Sequence, residues 1–114
     1  MKKLLAVLAV LVFASSLSAQ TGRGAIYGQV VDDQGTPLPG VTVTLSGSLI
    51  APVDYVTGPQ GRFRFPNIQP GKDYVVTAKL EGFKVKRFEN VEIEFGKNVN
   101  LNIELEVGGL SEEV

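Results

Sequence analysis

Four glutamates stand in pairs two residues apart, Glu92 with Glu94 and Glu104 with Glu106. Paired carboxylates on one strand face are a possible acid/base couple. The competing reading is a solvated face that also keeps strand edges from aggregating, and it accounts for both pairs. Asp32 and Asp33 precede Gly35, where two carboxylates fall short of the six to eight oxygens that a calcium ion takes. Capping of the turn by aspartate is the expected role. The chain holds neither histidine nor cysteine. That removes the usual neutral-pH base, the Ser-His and Cys-His couples, the commonest zinc ligand and any disulfide. No catalytic, metal-binding or cofactor-binding residue is assigned, and the chain is expected not to be an enzyme.

Residues suited to recognition remain. Tyr27 and Tyr55 fall on an outward strand phase or in a loop, where a ring is free to stack on a ligand. Lys84, Lys86 and Arg87 form a short basic run beside Phe88, suited to an acidic protein or glycan, although a solvated edge explains it equally. Phe63, Phe65, Tyr74 and Phe83 could form a sugar-stacking platform, but their phase makes them core. The predicted surface-binding residues are therefore Tyr27, Tyr55, Lys84, Lys86 and Arg87.

The elements that must carry these residues begin after an export segment. Lys2 and Lys3 precede ten apolar residues, Leu4 to Phe13, and then a stretch of small residues ending at Ala19. This is the layout of a secretory signal peptide, and the apolar run is too short for a spanning helix. Cleavage is expected after Ala19, with Ser18 as the alternative. Removing 19 of the 114 residues leaves 95, with 9 basic and 12 acidic side chains once Lys2 and Lys3 are gone, a formal charge of −3. So mild a charge points to neither nucleic acid nor anionic membrane. One small domain, without membrane insertion and expected to be monomeric, fits this length.

Beyond a flexible leader at 20–24, period-2 alternation recurs. Ala25 to Asp32 reads as a strand with Ile26, Gly28 and Val30 on one face, and Gly28 marks a bulge or a close backbone approach. Residues 33–40 hold two glycines and two prolines and form a turn cluster. Val41, Val43 and Leu45 point inward, residues 46–52 read as a loop, and 54–57 as a short strand. Gly61 to Phe65 puts both phenylalanines on one face and both arginines on the other. Asn67 to Gly71 is a tight reversal in which proline presets φ and glycine accepts a positive φ. Tyr74, Val76 and Ala78 follow. Lys84 to Phe88 is a basic strand or extended loop, Val91 to Phe95 a further alternating strand, and residues 96–98 a hairpin turn. Val99, Leu101, Ile103 and Leu105 supply the last inward face, and 107–114 is a tail or linker. Strands at this spacing predict an all-β, seven- to eight-stranded antiparallel β-sandwich over 25–106.

The segments GQVVDDQGTPLPGVTVTL (28–45), TGPQGRFRFPNIQPGKDYVVTAKLEGF (57–83) and VNLNIELEVGG (99–109) resemble the carboxypeptidase regulatory-like domain. The resemblance implies a transthyretin-like (prealbumin-like) sandwich, also grouped as a carbohydrate-binding-like fold. Such domains occur before TonB-dependent outer-membrane receptors, beside metallocarboxypeptidases and in cell-surface proteins. The hydrolases and carboxypeptidases of this circle need histidines that the chain lacks, and its first strand has no lysine for an intramolecular Lys–Asn crosslink. The resemblance therefore implies a non-enzymatic exported interaction module, the N-terminal periplasmic domain of such a receptor or a fragment of one. Its expected partner is an envelope protein or a glycan, and its location the periplasm, the outer membrane or outside the cell. A free carbohydrate-binding module and a purely structural spacer are the alternatives.

Overall fold

The computed structural model describes residues 22–108. The predicted signal peptide and all of the tail past Gly108 lie outside the described residues. Within them run seven strands: β1 Gly24–Val31, β2 Thr42–Gly47, β3 Ile50–Val56, β4 Arg62–Ile68, β5 Gly71–Lys79, β6 Lys86–Ile93 and β7 Asn98–Glu104. They form a three-stranded sheet in the order β4-β1-β7 and a four-stranded sheet in the order β3-β2-β5-β6. The inward faces meet in one core. Ile26, Val30, Val41, Val43, Leu45, Tyr74, Val76, Ala78 and Ile103 are wholly buried, with Phe63 and Phe65 beside them. The alternation read along β1, β2, β4, β5 and β7 is the alternation that the sandwich uses.

The strands are not all antiparallel. β1 and β7 pair in parallel, from Ala25 opposite Asn98 to Val31 opposite Glu104. The hairpin turn expected at 96–98 is not one: residues 94–97 carry the chain from one sheet to the other, and Asn98 already belongs to β7. Gly96 there has φ 67°, and Lys97 Nζ lies 2.8 Å from Glu94 Oε2. Period-2 patterning cannot separate a hairpin from a crossing, because both leave alternating strands on either side. Phe95, expected in phase with Val91 and Ile93, sits at this crossing with 68% of its surface exposed.

The β4–β5 link is also a crossing, as are the β1–β2 and β3–β4 links. In the reversal expected over 67–71 the left-handed residue is Asn67, at φ 56° and still within β4, and not Gly71; asparagine is enriched in that region. The Tyr74 hydroxyl donates to the Gln69 carbonyl at 2.6 Å, which ties the crossing to β5.

Residues 46–52 are not a loop: β2 and β3 are joined by Ser48 and Leu49 alone. Pro52 is tolerated because β3 is an edge strand, and Leu45 and Gly47 of β2 oppose Val53 and Ile50, leaving one extra residue on β3. Likewise the basic strand or extended loop expected over 84–88 and the strand expected over 91–95 share one strand, β6, over Lys86–Ile93. Tyr74 and Val76 of β5 face Val91 and Phe88, so β6 holds an extra residue, and Asn90 at φ 56° absorbs it. That bulge shifts the apolar phase, which makes the stretch read as two pieces. The leader is shorter than expected by one residue, since β1 starts at Gly24. Val107 bridges to Phe83, and the Gly108 N–H donates to Gly82, so the segment past β7 is tied to the sandwich at its start.

Thr57 is buried beside the turn cluster. Its Oγ1 accepts from the Val41 N–H at 2.9 Å and donates to the Leu38 carbonyl at 2.8 Å. Thr57→Val keeps the shape and removes both bonds. It is expected to cost about 2 kcal/mol, because a buried N–H loses its partner; urea denaturation measures it, and a neutral result would refute the role of this hydroxyl.

Candidate functional site

The two tyrosines singled out in the sequence do come together. Tyr27 lies on the outer face of β1, opposite Arg64 of β4 and Asn100 of β7. Tyr55 belongs to β3, and its exposure has a different cause from the one expected. It is neither in a loop nor in the outward phase, because it pairs with the inward-facing Val43. β3 is the edge of the wider sheet, and the three-stranded sheet leaves its inner face partly uncovered. The Tyr55 ring rests edge-on against Phe65, with centroids 6.2 Å apart and planes at 70°. Each tyrosine keeps 38% of its surface exposed. With Gly28, Phe63, Arg62 and Arg64 they line an open depression of about 290 Å³.

Arg62 and Arg64 are the residues that sequence reasoning did not assign to this site. Their shared outward phase was visible in the alternation. Their meeting with Tyr27 depends on the β1–β4 register, which places Gln29 opposite Arg62 and Tyr27 opposite Arg64. No local pattern encodes that register. Among the described residues neither guanidinium has an ion pair or a hydrogen-bond partner.

The basic run lies elsewhere, at and just before β6, across the wider sheet from β3. Lys84 Nζ stands 3.9 Å from Glu106, and Arg87 Nε donates to Glu89 at 3.1 Å. Lys86 Nζ lies 5.9 Å from the Phe88 ring centroid. Much of the positive charge on this run is thus already answered by its own chain.

The remaining polar groups serve the fold. Asp32 Oδ1 accepts the N–H groups of Gln34 and Thr36, both at 2.9 Å, which is the capping expected of it. The Ser48 hydroxyl, followed by backbone N–H groups, holds the Asp73 carboxyl below its usual range; the bond from Ser48 N–H, 3.2 Å long, joins the β2–β3 turn to β5. Lys97, through its hydrogen bond and its charge, likewise holds Glu94 low. Neither carboxyl is poised as a neutral-pH acid.

Tyr74 is core rather than platform. Burial raises its phenol above the ordinary value, the neighbouring Asp73 charge adds to the effect, and Arg23 opposes it. The folded chain therefore holds this proton more tightly than the unfolded chain does. The resulting stability is fully present below about pH 10 and is lost as the pH rises further. Tyr74→Phe is expected to shift alkaline unfolding to higher pH, while costing about 1 kcal/mol at neutral pH for the lost hydrogen bond. Circular dichroism across an alkaline titration checks both signs.

Residues 25–106 match the model of the carboxypeptidase regulatory-like domain. The TonB-dependent transporter Oar of Myxococcus xanthus is 32% identical over 106 residues, covering 91% of this chain and 10% of the transporter. The chain thus spans about a tenth of the length of that curated relative. Among solved structures, GBS52, a minor pilin of Streptococcus agalactiae, superposes with a TM-score of 0.65 at 21% identity, over 78% of this chain and 46% of the pilin. Catechol 1,2-dioxygenase from Pseudomonas arvilla gives 0.63 at 12% identity, over 82% of this chain and 55% of the enzyme. At those identities the two structures show a shared fold and carry no activity across. By its matched residues, the chain belongs to the carboxypeptidase regulatory-like domain family.

Proposed function

We propose that the chain is an exported, non-enzymatic interaction module of the Gram-negative envelope, the N-terminal periplasmic domain of a TonB-dependent outer-membrane receptor or a fragment of one. The observation that carries this reading is the 32% identity to a TonB-dependent transporter across nearly the whole chain. The basic, apolar and small-residue order of residues 1–19 supports export. Two measurements test it. Fractionation with mass spectrometry should find the protein in the periplasm or outer membrane, starting at Gln20, or at Ala19 if cleavage follows Ser18. The native reading frame should continue past Val114 into a plug and barrel. A cytoplasmic protein retaining Met1 would overturn the export reading, and a stop codon after Val114 the receptor reading.

The second reading, a free carbohydrate-binding module, is favoured by the exposed Tyr27 and Tyr55 rings at one depression. Stacking of a sugar ring on tyrosine is its physical basis. Silence across a glycan array would remove it.

A further inference from the structure

We propose that the depression formed by Tyr27, Tyr55, Arg62 and Arg64 is a docking site for an extended acidic peptide segment whose carboxylates stand two residues apart. It rests on the interaction-module reading and gives that module's partner a chemistry. Arg62 and Arg64 are successive outward residues of β4, an edge strand whose one sheet neighbour is β1. Strand geometry separates their Cα atoms by roughly 7 Å. A partner in extended conformation repeats its side chains at the same interval. Each guanidinium can then take one carboxylate through two parallel N–H bonds, the geometry that arginine serves best.

The charge pattern supports this occupant. Elsewhere on the molecule Lys84, Arg87 and Lys97 each stand within 4 Å of a glutamate, whereas Arg62 and Arg64, two residues apart on one strand face, have no such neighbour among the described residues. They form a local cationic spot on a chain of net charge −1, so opposite charge in the partner is what complements them. The tyrosines add contact at low entropic cost, since each ring has two side-chain torsions. Tyr55 is further fixed by its edge contact with Phe65. Exposed tyrosine and arginine around a concavity are also the residue types that concentrate binding energy at protein interfaces. The agreement between the Cα spacing of the two arginines and the repeat of an extended partner favours a peptide over an acidic glycan.

Fluorescence anisotropy of the purified chain tests the proposal with three probes: a labelled peptide alternating glutamate and threonine, its glutamine counterpart, and a labelled uronate oligosaccharide. The glutamate peptide should bind, weakening as salt is added, and the glutamine peptide should not. The double variant R62Q/R64Q should lose about tenfold or more in affinity with an unchanged urea midpoint, because both side chains are exposed. K72Q/K79Q, at two exposed lysines of β5 outside the depression, should bind as the parent does. Equal binding of the two peptides, or undiminished binding by R62Q/R64Q, overturns the site. Binding of the uronate oligosaccharide without the peptide also overturns it, in favour of a glycan. Fractionation and the reading frame decide the module reading separately, so failure of one is distinguishable from failure of the other.

Discussion

Phe65→Ala is expected to cost about 3–5 kcal/mol of unfolding free energy, the usual range for deleting a buried phenyl ring. The ring is 3% exposed. It touches Phe63 at a centroid separation of 6.0 Å with planes at 57°, and Tyr55 leans on its other side. Truncation leaves a cavity beside both of those rings. For a domain whose total stability is on the order of 5–15 kcal/mol, that is a large share. Urea denaturation measures it, and a loss below about 1 kcal/mol would show that the ring does not fill the core. The same change removes the support under Tyr55, so binding at the depression should weaken in any variant that still folds.

Gly28→Ala should be nearly as damaging, for the opposite reason. A Cβ at Gly28 would lie 1.9 Å from the Leu101 carbonyl oxygen and 2.4 Å from Phe63 Cζ. The first is backbone of the paired strand and cannot swing aside. One methyl group therefore has to part β1 from β7 or displace a core ring, at an expected cost of about 3 kcal/mol, the upper part of the overpacking range. Gly58→Ala is the control, because a methyl group there would meet nothing within 4 Å, and it should stay within about 0.5 kcal/mol of the parent. Equal midpoints for the two variants would refute the close approach.

Much of this architecture was legible one strand at a time. The inward residues of β1, β2, β4, β5 and β7 follow from alternation, and the glycine at 28 announced a close contact that is there. What alternation does not encode is which strand lies beside which. The parallel β1–β7 pair, the crossings between the sheets and the meeting of Tyr27 with Arg64 all depend on non-local pairing. β3 and β6 were misread for a local reason, since each carries an extra residue that breaks period 2. Tyr55 shows the limit most clearly: its exposure comes from an unequal number of strands in the two sheets, which no segment records by itself. The basic run at 84–87 was visible as charge, but its glutamate neighbours were not.

The parallel pairing of β1 with β7 bears on how the domain carries tension. β1 begins beside the 94–97 crossing, where the Ala25 N–H donates to the Lys97 carbonyl. β7 runs out beside Val31, whose carbonyl accepts the Leu105 N–H. Chain entering before Gly24 and chain leaving after Gly108 are therefore attached at opposite poles, with seven paired residues, roughly 20 Å of strand, lying between them. A pull between the poles loads that ladder in shear, so its hydrogen bonds resist together instead of opening one after another.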